Sequence, residues 1–570
     1  MANIQLNETA PRFIREHLLL FAIIFFISIL CASLLFLYPF ASNKKVPYFT
    51  KSHEILVNSK LTGQKALLIK DQVYLPVMVV QNTLGGWLYP DSGQLIMTTN
   101  QDILRFLYDK NAYYINDQKI NPSSPLIIKN QQGIFLSIDV IKKYYPFRYQ
   151  ILKSNGAVWI EQNGNTYFKG KITTRTAKRD YLQLRTDPSL QAPYTTNVIP
   201  GESIRIEKQV RGYDYIRRSN GIGGYIKADI VDKLQKTAVR VSFPEDKFSL
   251  PSITLPIQLS WEAVYSKTPD TKELPRMPGV TIVSPTWFQL KNENGELTDK
   301  GDSAYCIWAR KQGYTIWPLF SNAFNPQLTK NAFNTFVKRQ KIITSLLAML
   351  EKYQSEGLNL DIENVNREDG PLVTEFVREA AARLHRANKI VSMNITFKSK
   401  GNWSEFYERH ALSESADYLI VMAYDEHTKT IGSVASIPWV RDNVKALLKE
   451  VPGDRLILGI PLYTRLWKEN TRSGEISSAA LTMNQANQWV KNHKLKPDLD
   501  NDTGQYYIQY IDKAHNEKYS MWLEDDYSLR ERVQIAELSH LAGIAVWSRY
   551  FANEQAWASL KTSLAAYHHQ

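Results

Sequence analysis

The sequence predicts a multidomain protein whose C-terminal half folds as an α/β (β/α)8 barrel, the TIM-barrel architecture. Three observations support this fold class. The chain has 570 residues, too many for one hydrophobic core. From about residue 250, short apolar strands alternate with amphipathic helices, the order that builds a parallel barrel. Upstream, an apolar run and then short strands separated by turn residues indicate a membrane helix followed by smaller β-rich domains.

The apolar run covers residues 18–38 and contains no formally charged side chain. As a helix, this length spans a hydrocarbon layer about 30 Å thick. A cleaved signal peptide is the alternative, but residues 38–42 offer a poor cleavage site. We therefore expect an uncleaved transmembrane signal-anchor in the cell membrane. Residues 1–17 would be a short cytoplasmic segment and the C-terminal domains would be extracytoplasmic, although flanking charges alone do not set this orientation.

The formal net charge of +13 favours an anionic partner such as an acidic envelope polymer, a lipid surface or nucleic acid. Residues 169–240 hold 15 lysines and arginines against 7 acidic residues, so over half of the excess lies in this segment. No recognition helix, zinc-ligand set or aromatic RNA-binding pattern accompanies it, so we expect no nucleic-acid partner. The two cysteines, Cys31 and Cys306, exclude a disulfide framework.

Residues 45–165 alternate short strands with helical insertions. A strand at 73–77, a helix at 79–84 and a strand at 94–98 are followed by a similar order over residues 112–161. This pattern resembles the α+β repeat domain named after copper amine oxidases, which forms an N-terminal stalk in many Gram-positive surface proteins. No metal-ligand cluster comes with it, so the resemblance implies a spacer or wall-contact module.

Residues 170–235 have the pattern of a small all-β barrel, with strands at 203–207 and 213–217. The stretch Leu-Gln-Leu-Arg-Thr-Asp-Pro-Ser at 182–189 and the closing Gly-Gly-Tyr-Ile at 223–226 resemble a bacterial SH3-like domain. Such domains commonly bind peptidoglycan stems or wall polymers. The resemblance and the positive charge together imply contact with an anionic cell wall; a merely solvated Lys/Arg face is the alternative.

Residues 245–568 contain eight candidate strands of a barrel, in which the chemistry lies at the C-terminal strand ends. Apolar stripes at helical spacing, such as residues 342–350 and 372–384, separate them. The candidate strands are residues 253–260, 280–285, 314–320, 358–362, 390–395, 418–423, 456–460 and 543–547.

The fourth of these strands carries the strongest functional signal. Its polar residues Asn359, Asp361 and Glu363 alternate with apolar ones, so all three side chains share one face. Carboxylates on a face that is normally apolar are costly unless they are paired or functional. Neighbouring carboxyls also push each other's pKa values apart, so one can keep its proton near neutral pH. A solvated edge strand is the alternative, which the apolar flanks disfavour.

This stretch resembles glycoside hydrolase family 18, whose signature D-G-h-D-h-D-x-E ends the fourth barrel strand. The resemblance implies that Glu363 is the general acid and that Asp361 orients the acetamido group of the substrate. Asn359 stands where most members have Asp, and Glu356 replaces the leading Asp. The Asn form is similar to the branch with spore-cortex and spore-coat hydrolases, and it leaves open how Asp361 exchanges its proton.

Three further motifs are similar to the same family and occur in the same order. Met422, Tyr424 and Asp425 match M-x-Y-D on strand six, which implies that Tyr424 hydrogen-bonds the acetamido carbonyl. On strand seven, Gly459-Ile460-Pro461-Leu462-Tyr463 matches G-h-P-x-Y and precedes Arg465. Trp547 matches the tryptophan under the −1 sugar. Residues 465–530 resemble the family's small α+β insertion, whereas residues 319–322 lack its S-x-G-G motif. We expect Asn359, Met422, Asp425, Trp547, Tyr463 and Arg465 to bind substrate.

The resemblance implies retaining, substrate-assisted hydrolysis of an N-acetylglucosamine-containing glycan, with no metal and no cofactor. The wall-type domains favour peptidoglycan, with chitin-type oligomers second. The alternatives are a family-18-fold binding protein without catalysis and a structural envelope protein. Several aromatic residues are equally compatible with the cleft and with core packing: Trp261, Trp287, Trp317 and Trp439.

Overall fold

The computed structural model describes residues 12–37, 41–85, 87–108, 110–173, 178–243 and 251–565. The chain forms two compact units. The first unit joins Met1–Gly86 to Ser123–Glu245, and the second joins Trp87–Pro122 to Asp246–Gln570. The second unit contains the barrel.

The first unit begins with one α-helix, Arg12–Leu37. The predicted anchor, residues 18–38, falls partly on residues whose side chains lie outside those described, including both of its ends. Among the residues that the structure does describe, no helix has both the length and the hydropathy needed to cross a membrane.

Two four-stranded sheets and short helices follow in the first unit. In spatial order, one sheet contains Phe147–Ile151, Val158–Gln162, Glu54–Val57 and Lys60–Lys65. The other contains Ile127–Asn130, Gly133–Ser137, Gln72–Pro76 and Leu67–Ile69. The helices are Val77–Val79, the π-helical turn Val80–Leu84 and Ile138–Tyr144.

The rest of the first unit is a seven-stranded antiparallel sheet around a small aliphatic core. In spatial order its strands are Tyr194–Asn197, Gln183–Arg185, Gly223–Lys227, Tyr213–Arg217, Ser203–Val210, Thr166–Ile172 and Val231–Ala238. The 3-10 turns Arg179–Leu182 and Ala228–Ile230 join them. Ile172, Leu184, Ile206 and Ile216 are fully buried or nearly so in the core. The unit is therefore mostly β, and its SH3-like character stays a prediction.

The second unit includes a five-stranded antiparallel meander that interrupts the first unit in sequence. Its strands are Leu88–Asp91, Gln94–Thr98, Ile103–Leu107, Tyr113–Ile115 and Gln118–Ile120. The sequence predicts one domain over residues 45–165, and within that span the structure packs residues 87–122 with the barrel. The reason is a shared core, in which Ile96 and Ile103 of the meander pack against Phe336 and Ala382 of two barrel helices.

The barrel itself has eight parallel strands, and each of the eight predicted segments overlaps one. The strands are Ile257–Glu262, Ile282–Pro285, Thr315–Ile316 with Leu319–Ser321, Gly357–Asp361, Ile390–Thr396, Tyr418–Met422, Leu456–Pro461 and Gly543–Trp547. The helices are Ser303–Lys311, Pro326–Phe333, Phe336–Lys352, Gly370–Arg386, Arg409–Ser415, Ile437–Leu447, Asp526–Leu538 and Glu554–Ala565, with 3-10 turns at Arg367–Asp369, Gly453–Arg455 and Arg549–Phe551.

The third strand is split in two, and the barrel closes through both halves. Thr315–Ile316 pairs with the second strand, and Leu319–Ser321 pairs with the fourth. The eighth strand pairs with the first and the seventh, which completes the ring. Because all eight strands are parallel, their carboxyl ends meet at one mouth.

One β-hairpin and one larger antiparallel sheet extend the barrel. Phe288–Leu290 pairs with Leu297–Asp299 after the second strand. Between the seventh and eighth strands, a five-stranded antiparallel sheet is packed with the helix Met483–Asn492, as the α+β insertion at 465–530 predicted. Its strands are Tyr463–Asn470, Ile476–Thr482, Asp498–Asp500, Gln505–Asp512 and Glu517–Trp522.

A buried ion-pair cluster fixes the meander to the barrel helices. Arg339, which has no exposed surface, contacts Asp91 of the meander at 2.9 Å and Glu379 at 2.7 Å. Nearer the surface, Arg383 pairs with Asp117, whose side chain is 81% exposed.

We predict that Arg339→Gln lowers the free energy of unfolding of this unit by about 3–5 kcal/mol, because it leaves buried carboxylates without their cation. Arg383→Gln removes an exposed pair and costs at most about 1 kcal/mol. Urea unfolding followed by tryptophan fluorescence measures both. Equal losses for the two variants would contradict the prediction.

Candidate active site

The polar face of the fourth strand points into the barrel, as its alternation predicted. Asn359 is fully buried and Asp361 is 8% exposed. The intervening Leu358 and Leu360 belong to the apolar core that the barrel helices share. Glu363 lies two residues beyond the strand at the mouth and is partly exposed.

Asn359 connects four barrel strands by hydrogen bonds, including one at 3.4 Å from the Ser284 hydroxyl of the second strand to Asn359 Oδ1. The indole Nε1–H of Trp261 donates to Asn359 Oδ1 at 3.0 Å. Asn359 Nδ2 donates to Asn394 Oδ1 at 2.9 Å and to Ser392 Oγ at 3.0 Å. Asn394 Nδ2 in turn donates to Asp361 Oδ1 at 2.9 Å. A continuous chain of donors therefore runs from the first strand to Asp361.

Two side chains that the sequence did not predict as site residues, Asn322 and Tyr407, hold the backbone around Glu363. Asn322 Nδ2 donates to the carbonyl oxygen of Glu363 at 2.8 Å, and Asn322 Oδ1 accepts from its amide at 3.1 Å. The hydroxyl of Tyr407 donates to the carbonyl oxygen of Ile362 at 2.9 Å. Asn322 lies at residues 319–322, where the sequence lacks the S-x-G-G motif of the family. That difference from the family was the signal in the sequence that pointed to this position.

Asn394 was also missed, although its strand gave a signal. Ser392, Asn394 and Thr396 alternate with apolar residues in the fifth strand, as the polar residues of the fourth strand do. Because the two strands are adjacent and parallel, their polar faces meet. The same alternation rule applied to the fifth strand would have placed Asn394 beside Asp361.

The sixth and seventh strands bring the other predicted residues to the same mouth. Tyr424 and Tyr463 are edge-to-face neighbours with ring centroids 6.3 Å apart. Asp425 Oδ1 accepts from the Tyr463 hydroxyl at 2.6 Å and from Arg465 Nη2 at 2.7 Å. Met422 ends the sixth strand and is half-buried. Asp425 is thus held by a phenol and a guanidinium.

Trp547 ends the eighth strand and lies against Trp261, with ring centroids 5.9 Å apart. Trp547 is partly exposed, whereas Trp261 is fully buried. Trp287 and Trp317 are also fully buried, and Trp439 packs edge-on against Phe397. Of the tryptophans left open between cleft and core, Trp261, Trp287 and Trp317 therefore belong to the core.

Left-handed backbone conformations occur at the loops around this mouth. Non-glycine residues with positive φ are Ala323 and Phe324 after the third strand, Asn364 after the fourth and Asp425 after the sixth, with φ between 51° and 60°. Such conformations are costly for residues with a Cβ and persist where the surroundings hold them. Here Asn364 Nδ2 donates to the carbonyl oxygen of Phe324 at 2.8 Å.

Burial changes the acidity of both carboxyl groups. Burial raises the pKa of Asp361 to about 6, opposed by the hydrogen bond from Asn394. Burial, together with the nearby Asp361 and Asp425, raises the pKa of Glu363 well above its ordinary value. Near neutral pH this pair can therefore hold a proton on Glu363 beside an ionised Asp361.

Tyr424 completes the polar group at the mouth. Burial, with Tyr463 and Asp361 nearby, raises the pKa of the Tyr424 phenol well above its ordinary value. Tyr424 therefore keeps its proton and can donate a hydrogen bond. A proton donor, an anion and a neutral hydroxyl donor thus converge at one mouth, a set that suits acid-assisted cleavage of a polar bond. Among the described residues, no group of three or more His, Cys, Asp or Glu could hold a metal ion.

Residues 321–552 match the family described as Glycosyl hydrolases family 18. The barrel is therefore that of a glycoside hydrolase. Residues 44–160 match the Copper amine oxidase N-terminal domain, which confirms the resemblance seen in the sequence.

Two relatives from Bacillus subtilis (strain 168) align with this region. The Uncharacterized glycosylase YvbX is 24% identical over 281 residues, which covers 47% of this chain and 80% of that protein. The Cortical fragment-lytic enzyme is 24% identical over 294 residues, covering 50% of this chain and 68% of that protein. The chain therefore has glycosylase homologues.

The fold is also similar to a solved structure, the Bacillus megaterium QM B1551 spore cortex-lytic enzyme SleL. The TM-score is 0.50 at 18% sequence identity, covering 64% of this chain and 89% of that chain. At this identity the likeness supports the barrel fold.

We predict that Asp361→Asn changes how stability depends on pH. A buried carboxyl with a raised pKa stabilises the folded state below its unfolded pKa, near 4, and this stabilisation is lost as pH rises through its folded value of about 6. The amide does not titrate, so above pH 6 the variant should be more stable than the parent by up to about 3 kcal/mol. Urea unfolding at pH 4 and pH 8 measures this. A variant effect that is the same at both pH values would contradict it.

Proposed function

We propose that the protein is a membrane-anchored, extracytoplasmic hydrolase of an N-acetylglucosamine-containing glycan. The observation that carries the proposal is the pairing of Asp361 and Glu363 beside Tyr424, with a raised pKa on each carboxyl. A protonated Glu363 is the proton donor that cleavage of a glycosidic bond needs. The glycoside hydrolase barrel supplies the scaffold.

The proposed mechanism is retaining and substrate-assisted. Glu363 protonates the glycosidic oxygen while the acetamido oxygen of the −1 sugar attacks the anomeric carbon, so the leaving sugar departs with the proton. The ionised Asp361 and the Tyr424 hydroxyl stabilise the cyclic oxazolinium ion that results. Glu363, now ionised, takes a proton from water as that water opens the ring. No other carboxylate needs to act as nucleophile.

The remaining predicted residues would hold the sugar in this geometry. Trp547 is partly exposed at the mouth, and its ring offers an apolar face to the −1 sugar. Asp425, held by Tyr463 and Arg465, is 45% exposed and has oxygens available to accept from sugar hydroxyls. Asn359 is fully buried, so its part is to position Asp361 rather than to touch the glycan.

Peptidoglycan is the favoured substrate, with chitin-type oligomers second. The relatives named for cortical fragments and spore cortex support the first choice, since cortex is a form of cell wall. The copper amine oxidase-type domain and the basic β-domain fit an enzyme that works at the wall.

We predict that Glu363→Gln abolishes product release, by at least about 10³-fold, because the amide cannot donate an acidic proton. Glu368→Gln makes the same chemical change at an exposed position five residues further on and should keep full activity. Purified peptidoglycan and chitin oligomers are incubated with each variant, and products are identified by mass spectrometry. Tight binding by the parent without products from either material would favour the binding-protein alternative.

Attachment to the envelope is proposed to use two parts of the first unit. The uncharged run at residues 18–38 would anchor the chain in the membrane. Lys169 and Lys171 are both exposed and stand two residues apart on one strand, so their side chains share one face of the sheet. These two cations form a basic face that suits an anionic wall polymer.

We predict that the full chain is recovered in the membrane fraction of Gram-positive cells, and that purified residues 41–570 bind isolated cell walls but not membrane vesicles. Raised salt should release the truncated chain from the walls, because exposed charge contacts are screened. Replacing Lys169 and Lys171 by Gln in the truncated chain should weaken wall binding. Cell fractionation and sedimentation with purified walls or vesicles, each followed by immunoblotting, measure this. Binding of the truncated chain to vesicles would contradict the anchor, and unchanged wall binding by the double variant would contradict the basic face.

A further inference from the structure

The hydrogen bonds around Asn359 have a defined direction. An indole N–H can donate but cannot accept, so the group of Asn359 that faces Trp261 must be its carbonyl oxygen. The amide nitrogen of Asn359 then points to Asn394 and donates to its carbonyl oxygen. The amide nitrogen of Asn394 is in turn left to face Asp361.

The orientation of the Asn394 amide that faces Asp361 is therefore set by Trp261, through Asn359. Asp361 Oδ1 accepts from Asn394, while no described residue donates to its Oδ2. An accepted N–H stabilises the ionised carboxylate and opposes the effect of burial. A proton on Asp361 is therefore confined to Oδ2, and none can pass into the barrel interior, because amides and an indole do not exchange protons at neutral pH.

We propose that Trp261 is a positioning residue that acts through Asn359 and Asn394 to keep Asp361 a hydrogen-bond acceptor and hence ionised. The inference rests on the proposed function, in which ionised Asp361 stabilises the oxazolinium ion. The proposal also explains how Asn359 differs from the Asp that most family members have at this position. The amide of Asn359 accepts from the indole and donates to Asn394, whereas an ionised carboxylate has no N–H to donate.

Reversing the direction of these hydrogen bonds changes the pKa of Asp361 in a predictable direction. The other partners of Asn359, Ser284 and Ser392, are hydroxyls that can donate or accept, so they do not fix its direction. Without the indole N–H, the amide of Asn359 can therefore turn, and Asn394 then presents its carbonyl oxygen to Asp361. A carbonyl oxygen there stabilises the protonated carboxyl, so the pKa of Asp361 rises. The hydrogen bond to a charged group that is lost corresponds to about one pH unit or more. An Asp at 359 removes the donor to Asn394 and acts in the same direction.

The existing titratable groups near Asp361 are the same in both variants, whereas Asn359→Asp adds one buried carboxyl whose negative charge also raises the pKa of Asp361. The existing groups are the carboxyls of Glu363 and Asp425 and the phenols of Tyr424 and Tyr407. The acid limb of the pH profile belongs to the coupled Asp361–Glu363 pair, so its displacement between variants is the informative quantity.

Trp261→Phe is the test variant, and Trp317→Phe is its matched control. Both tryptophans are fully buried in the same interior cluster. The Trp317 indole nitrogen has no hydrogen-bond partner among the described residues, so this control loses the same volume without losing a hydrogen bond. Asn359→Asp is the second test variant and changes almost no volume.

The full chain is assayed with 4-nitrophenyl N,N′-diacetylchitobioside from pH 4 to 9. We expect the acid limb of kcat/KM to move up by about one unit in Trp261→Phe and Asn359→Asp, with Trp317→Phe matching the parent. A limb that moves equally in Trp261→Phe and Trp317→Phe, or moves down in Asn359→Asp, would overturn the proposal.

A second measurement separates this proposal from the proposed function. The unfolding midpoint of each Phe variant is followed over the same pH range without substrate. The loss of stability that accompanies ionisation of Asp361 should occur at higher pH in Trp261→Phe than in Trp317→Phe. If the parent releases no product, the proposed hydrolase function is wrong for this substrate. The stability profiles would still show the direction of the hydrogen bonds between Trp261 and Asp361.

Discussion

Polar groups inside a barrel must find partners there, and this constraint organises the whole site. Asn359 and Asp361 lie in the interior, where an unmet polar group costs about 1–3 kcal/mol. Trp261 and Asn394 supply the missing donors from the first and fifth strands. The same side chains that satisfy the interior therefore also fix where Asp361 stands. Stability and function depend on one set of hydrogen bonds.

The mouth is built differently from the interior. Its residues stand on loops, and the backbone there adopts left-handed conformations at several non-glycine positions. Asn322 holds the main chain of Glu363 from both sides, although it belongs to a different strand end. The main chain of Glu363 is consequently fixed, and among the described residues no cation forms an ion pair with its side chain. Burial and the neighbouring carboxyls of Asp361 and Asp425 therefore raise the pKa of Glu363.

The sequence contained most of the barrel but only part of the site. Its eight strands were predictable because buried parallel strands and amphipathic helices have different periodicities. Glu363, Asp361 and Tyr424 stood out because charged or polar residues interrupt apolar strands at their ends. Asn322 and Asn394 were missed because their importance depends on which strands become neighbours. The packing of residues 87–122 against the barrel was not predictable for a related reason, since the apolar residues of the meander indicate burial but not the identity of their partner.

The path of the chain through the two units has a practical consequence for dissecting the protein. The polypeptide passes between the units three times, at residues 86–87, 122–123 and 245–246. A recombinant barrel begun at residue 246 would lack the meander, leaving Phe336 and Ala382 uncovered and Arg339 without Asp91. Such a fragment has the sequence of a whole barrel but exposes an apolar surface and a buried arginine that has lost one of its carboxylate partners. Domain boundaries drawn along the sequence therefore do not coincide with the pieces that can be purified separately.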